Sequence, residues 1–396
     1  VLAAEIADVV LGAVLGGEFQ QVVVAGHPVD LGEVQVFLER RRGRLVGQCR
    51  EVRRQVIGRE VLAQVHLRRT VDVLVLVAEE EVVIVQTRGG YVKRLKPDSY
   101  KIQRRGGKGL IGIETKEEDV VEHLLTCSTH SQLLFFTNAG KVYQVPAYEI
   151  PEGTRVAKGK AIFNFLSLSS AEQITSILAV AKEKKKKTAE EGSQYVIMET
   201  KDGIIKKVEA SSFENVRRSG LIAITLKGDD ALRFARLTSG HDELILLTGR
   251  GQAVRFSERD VRPMGRQASG VKALRLKKGD EVVGMSVITK DLLKDAHTKL
   301  LVVMEHGYGK HALLKQYKKQ RRGGSGIKAA KVTPKTGNVV RGNLIGPEET
   351  ELIAISRKGQ VIHTELSTIP TLGRATQGVR VMKLDEGDAI ASMTTF

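Results

Sequence analysis

From residue 78 onward, apolar residues come in short runs rather than on a helical spacing, and the runs occur in pairs. In DELILLTGRGQAVRFS, residues 242–257, two such runs meet at a glycine-containing turn, the pattern of two strands joined as a hairpin. A glycine flanked by short polar or basic residues closes a turn of this kind at Gly90, Gly140, Gly203, Gly251, Gly307 and Gly359, at intervals of 50, 63, 48, 56 and 52 residues. A second glycine stands at Gly109, Gly159, Gly220, Gly270, Gly326 and Gly378, 19 residues after the first in five units and 17 in the third. Chance does not keep such a register six times. The one long interval contains AKEKKKKTAEEGSQ, residues 181–194, a charged low-complexity insert whose KEKKKK run reads as a solvated loop or as an auxiliary phosphate-contacting arm. Later in the fourth unit, SGVKALRL at 269–276 sets Val271, Ala273 and Leu274 against Lys272 and Arg275, one face inward and the cations outward.

About 50 residues supply roughly four short strands, the content of a propeller blade. The expected fold is therefore all-β: a six-bladed, propeller-like repeat domain over 78–396, with blades near 78–123, 124–180, 195–240, 241–290, 299–348 and 349–396. Aromatic residues make up only 4% of the chain and Trp is absent, which argues against a WD-type propeller and for blades packed with Val, Ile and Leu. Residues 1–77 differ in texture: 19 are Val, Pro28 is their one proline, and the first lysine of the chain is Lys93. Runs such as VVV at 22–24 suit strands, while residues 32–62 suit an irregular helix equally well. This segment stays unassigned, as a disordered or unrelated stretch joined to the repeats.

Charge separates the same two parts. Lys and Arg exceed Asp and Glu by 17, yet residues 1–77, with ten Arg and nine acids, contribute only +1. The basic excess belongs to the repeats and favours a polyanionic partner. No run reaches eighteen apolar residues, too few for a membrane-spanning helix, and VLAAEIADVV lacks the cations of a secretory leader. The expected location is the cytoplasm, away from membranes. Cys49 and Cys127 are too far apart for a zinc knuckle, and Cys127 reads as a small buried apolar residue.

Two glycine-rich basic strings stand out, QRRGGKG at 103–109 and QRRGGSG at 320–326. GKGLIG at 107–112 fits GxGxxG, but a dinucleotide site needs a helix after the glycines, and here the chain runs into another repeat. A Walker loop fails because Gly107-Lys108 is followed by Gly109 and not by Ser or Thr. GxSxG, HExxH and paired-acid signatures are missing, and His306 and His311 read as solvated turn residues rather than a metal pair. The plain reading of QRRGGKG is a tight turn with exposed cations. Its setting adds to that, since cations recur at related places in several units. These are Lys93 and Arg94, Lys206 and Lys207, Arg217 and Arg218, Arg255 and Arg266, Lys310 and Lys315, Arg321 and Arg322, and Arg374 and Arg380. Repeats that place them along one edge make a basic rim, suited to a long phosphate backbone whose charge they neutralise without reading bases.

GYVKR at 90–94, the QRRGGKG box, EHGYGK at 305–310 and the six-fold unit resemble the C-terminal domain of the bacterial DNA gyrase A protein, part of a type IIA topoisomerase. The resemblance covers about residues 78–396. It implies a six-bladed β-pinwheel in which neighbouring blades exchange a strand and duplex DNA wraps chirally around the basic perimeter. That wrapping supports negative supercoiling by the holoenzyme. Gln103, Arg104, Arg105, Gly106, Gly107, Lys108 and Gly109 would carry the wrapping role of the family's box; the string at 320–326 departs from it at Ser325. The implied partners are double-stranded DNA, the gyrase breakage-reunion domain and the gyrase B protein, in the bacterial nucleoid. ATP and magnesium would act in those other parts, with no cofactor in this chain. All seven tyrosines lie at or after Tyr91, with Tyr91 and Tyr308 in hairpin turns, so this chain alone is not expected to cleave DNA. It ends in ASMTTF rather than an acidic tail, so autoinhibition by such a tail is not expected. The alternatives are a topoisomerase IV-type domain, usually with fewer or degenerate blades and no intact box, a propeller-like protein scaffold that does not wrap DNA, and a nucleotide-dependent enzyme.

Overall fold

A computed structural model describes residues 22–24, 27–29, 77–96, 121–154, 157–180, 194–217, 219–346, 349–358 and 360–395. The chain divides into two units, residues 1–76 and 77–396. In the first, Val22–Val24 pairs antiparallel with His27–Val29, so the VVV run is a strand.

In the second unit, a strand buried on both faces needs an apolar residue at every position rather than at every second one. Each repeat contains such a strand. In Glu243–Thr248 every residue is buried, with Leu244 and Leu246 packing into one apolar cluster and Ile245 and Leu247 into the next. Successive side chains thus serve opposite neighbours, which explains why the sequence shows continuous apolar runs.

Around this middle strand every blade repeats one order. The third blade runs from inner strand Leu232–Thr238 through middle strand Tyr195–Thr200 and outer strand Ile204–Glu209 to Val271–Lys272, which arrives from the fourth blade. The first, second, fourth and fifth blades likewise take a two-residue strand from their successor: Lys160–Ala161, Leu221–Ile222, Ile327–Lys328 and Val379–Arg380. In the sixth blade, the middle strand Glu351–Ser356 pairs with Val361–Glu365 and Ile390–Thr395. The inner strands touch one another in turn, and Ile390–Thr395 touches Val121–Ser128 of the first blade, so six sheets close into a propeller-like ring. At the same place in every blade the pairing of middle and inner strands shifts register, beside Thr87, Thr137, Thr200, Thr248, Met304 and Ser356.

Three sequence expectations need correction. The first blade runs past residue 123 to Ser128, because its inner strand is Val121–Ser128, paired along Glu81–Thr87. Val271–Lys272 is not a strand of its own blade but the piece handed to the third. Tyr91 and Tyr308 begin outer strands just after their turns.

Candidate nucleic-acid interface

Between the outer strand of a blade and the two-residue strand it hands back lies the turn that carries the basic strings. The second glycine ends it. Gly326 and Gly378 have φ of 75° and 80°, in the left-handed region. A Cβ there would lie 2.6 Å from the Ala253 carbonyl oxygen and 2.5 Å from that of Gly309, each on the preceding blade's outer strand. Backbone approach between blades therefore fixes the glycine register read from the sequence. The box at 103–109 lies outside the described residues, as does Arg218; its near-copy at 320–326 is within them.

Four of the expected rim cations are not on the surface. Lys93, Lys206, Lys207 and Lys310 are all buried. The Lys310 amine donates to the carbonyls of Gly373, Arg374 and Thr376 at 2.9, 2.6 and 2.9 Å, and to Thr376 Oγ1 at 3.1 Å. Lys93 donates to the Thr154 and Ala157 carbonyls at 3.2 and 2.6 Å. Lys206 donates to the carbonyls of Ala223, at 2.7 Å, and Arg266. All three stand third after their hairpin glycine and reach into the next blade's turn. At the next position, Lys207 meets Glu258, Arg255 pairs with Glu243 at 2.8 Å and donates to the Tyr317 carbonyl, and Arg94 faces Glu152 at 3.9 Å. These cations fasten blades together, so their charge is largely spent inside the ring.

The lysines also expose an alternation. The third residue after the hairpin glycine reads Lys93, Tyr143, Lys206, Val254, Lys310 and Ile362. Lysine therefore occurs in blades one, three and five and grips the turns of blades two, four and six, which read TRVAKG, GRQASG and GRATQG with one arginine each. The strings at the corresponding sequence position in the other three repeats, QRRGGKG, NVRRSG and QRRGGSG, have two. The six repeats are thus three pairs of unlike blades. A position shared by lysine with Tyr, Val and Ile is a buried one, and that signal was available in the sequence.

The turn arginines are the cations that reach outward. Arg217 and Arg321 are exposed, as are Arg380, on the handed-back strand, and Lys315. Arg266, Arg322 and Arg374 are half-buried. Arg322 Nε and Nη1 donate to the carbonyls of Asp260 and Lys272 at 2.8 and 2.9 Å, and Arg374 Nη1 to that of Lys328 at 2.6 Å. In QRRGGSG, then, the second arginine anchors the turn to the preceding blade and the first faces solvent. Sequence reasoning passed over Arg262 and Lys318, both exposed beside these turns and visible as cations preceding the repeated glycine.

Burial, and secondarily the neighbouring arginine, pulls the Lys206 and Lys310 amines down from 10.5 to about 8. Between those values the unfolded chain holds protons that the folded chain releases. Stability from this source is full above pH 10.5 and lost as pH falls through 8. The stability of the protein relative to a Lys310→Met variant should accordingly rise from pH 8 to 10.5 in chemical denaturation. A difference that stays flat across that range would contradict the burial of this charge.

Cys127 is free and buried, with its thiol pushed up to about 11 by burial, in keeping with an inert packing residue. His306 is exposed as expected, but His311 is buried on the strand Tyr308–Leu313 and held down to about 4 by burial. Among the described residues no group of His, Cys, Asp and Glu has metal-binding geometry, and no helix is long and apolar enough to cross a membrane.

The sequence matches the family model described as DNA gyrase C-terminal domain, beta-propeller, in six segments: residues 81–128, 131–181, 194–239, 242–289, 299–341 and 350–396. It is 40% identical over 318 residues to the DNA gyrase A protein of Staphylococcus epidermidis, covering 80% of this chain and 34% of that one. It is 39% identical over 320 residues to the DNA gyrase A protein of Haloquadratum walsbyi, covering 81% and 36%. The chain spans about a third of the length of these curated relatives. Among solved structures, the C-terminal domain of DNA topoisomerase IV superposes with a TM-score of 0.65 at 26% identity, over 81% of this chain and 94% of that one. The DNA gyrase A C-terminal domain does so with 0.62 at 29%, over 80% and 100%.

Proposed function

The chain belongs to the DNA gyrase C-terminal domain family, and from that premise we propose that it binds duplex DNA along the outer edge of the ring and bends it into a wrap. The observation that carries this reading is one turn repeated at the blade junctions, with an exposed arginine on it in blade three, Arg217, and in blade five, Arg321. Guanidinium groups spaced around a ring match a curved phosphate backbone and need no base contacts. Bending a site of 20–30 base pairs by 40–90° costs on the order of 1–6 kcal/mol in an elastic estimate. Contacts spread over several blades offset that cost in a way that one pocket could not.

In the same reading the wrap is chiral and delivers DNA to the rest of a gyrase, whose breakage-reunion and ATP-hydrolysing parts act with this domain in the cytoplasm. A gyrase role is preferred to a topoisomerase IV-type role because the curated relatives at about 40% identity are gyrase A proteins. The test is topological. Nicked circular DNA ligated in the presence of the protein should show a shifted distribution of linking number after the protein is removed. A distribution identical to that of protein-free DNA would overturn the proposal.

A further inference from the structure

Blades one, three and five are not neighbours, so only the axis of the ring brings their side chains together. Arg341, on the inner strand of blade five, stands with its guanidinium carbon 5.7 Å from the centre of the Phe234 ring on the inner strand of blade three. Arg236 lies two residues beyond Phe234, on the same side of that strand. His123 and Glu122 come from the inner strand of blade one. The group is electrostatically unbalanced. Arg236 and Arg341 each depress the His123 imidazole, to about 3 after burial, the larger cause, and Arg341 adds to the burial that pulls Arg236 down to about 10. Glu122 opposes the depression of Arg341, while Arg233 adds to it.

Hydrogen bonding is unbalanced as well. Arg341 Nε and His123 Nε2 are buried and have no hydrogen-bond partner among the described residues. The Arg236 guanidinium donates from Nη1 to its neighbour's carbonyl on Ala235, at 2.9 Å. The other ring nitrogen of His123 bonds the Ile174 backbone in the sense that favours a proton on it, which leaves Nε2 as a bare acceptor. A buried donor and a buried acceptor without partners cost free energy that a matching ligand would recover.

We propose that the axis of the ring binds one hydrogen phosphate ion, with Arg236 and Arg341 donating to its oxygens and its P–OH donating to His123 Nε2. The chemistry specifies the ligand class. Two guanidinium groups select an oxyanion. An acceptor nitrogen beside them selects an oxyanion that still carries a proton at neutral pH, which phosphate does and sulfate does not. The bound group would tie three non-neighbouring blades to one point, and because it sits on the axis it is independent of the wrap proposed for the perimeter.

The experiment compares inorganic phosphate with sulfate on the 396-residue chain at pH 7 and matched ionic strength. Phosphate is expected to titrate calorimetrically as one site per chain and to raise Tm with increasing concentration, with sulfate at least about tenfold weaker for want of one hydrogen bond to a charged group. Arg341→Gln and Arg236→Gln should each remove the difference between the two anions, whereas Arg217→Gln, on an outer turn, should keep it. Should Arg341→Gln not fold, Arg236→Gln alone and a phosphorus-31 titration of the unaltered protein decide the matter. Equal responses to phosphate and sulfate, or a phosphate preference that survives Arg236→Gln, would overturn the proposal. Glycerol phosphate, a monoester with a second pKa of about 6 and so mostly without a P–OH at pH 7, should respond nearer to sulfate than to phosphate.

Discussion

Replacing Arg104, Arg105 and Lys108 together by Ala is expected to abolish the linking-number shift in ligated nicked circles while leaving much of the simple affinity for linear DNA. Affinity is a sum over many phosphate contacts, so three lost cations remove only part of it. Wrapping is a threshold quantity, because the last contacts must offset a bending cost of about 1–6 kcal/mol, and losing them returns the duplex to a straighter path. The near-copy at 320–326 divides the labour further. Arg104 corresponds in sequence to Arg321, which is exposed, and Arg105 to Arg322, whose guanidinium is committed to the Asp260 and Lys272 carbonyls. Arg104→Ala alone should therefore act as a loss of phosphate contact, and Arg105→Ala as a loosening of the turn that also lowers Tm. If the triple variant still shifts linking number as the unaltered protein does, the wrapping role of the box is wrong.

The repeat and its architecture were legible in the sequence because glycine marks positions that no other residue fits. Gly326 and Gly378 combine a left-handed backbone with a neighbouring carbonyl within 2.6 Å of the missing Cβ, so the spacing of 19 residues survives wherever the packing does. Strand exchange was not legible from the residues themselves. A two-residue strand such as Val271–Lys272 carries too little pattern to show which sheet it joins, and only the family resemblance anticipated it. The cations were misjudged for another reason. Lysine in a chain of net charge +17 reads as surface, yet a blade buried on both faces leaves its outer strand no solvent side, and Lys93, Lys206 and Lys310 point into the next blade. Their alternation with Tyr143 and Val254, both buried, was the available clue. The axial cluster had no sequence signal, since His123, Arg236 and Arg341 come together only when the ring closes.

That division between interior and rim makes the second prediction sharp. Affinity for duplex DNA should fall by roughly 10³- to 10⁵-fold between 50 and 200 mM salt if the perimeter neutralises six to ten phosphates, with a log–log slope near −0.9 per phosphate. The mean charge of the chain would produce some salt dependence in any arrangement, so the slope alone does not locate the contacts. Substitutions do. Arg217→Gln and Arg321→Gln each remove an exposed guanidinium and should each make the slope shallower by about 0.9. Lys206→Met and Lys310→Met remove amines whose hydrogen bonds go to backbone carbonyls. They should lower stability but leave the slope within error of the unaltered protein, because those amines displace no counterion from DNA. A slope unchanged by the arginine substitutions, or changed equally by the buried lysines, would mean that the duplex does not follow the turns. A weak dependence in the unaltered protein would favour a protein-binding scaffold instead. The comparison needs only linear DNA and so stays informative even where wrapping fails, which separates the question of where DNA lies from the question of whether it bends.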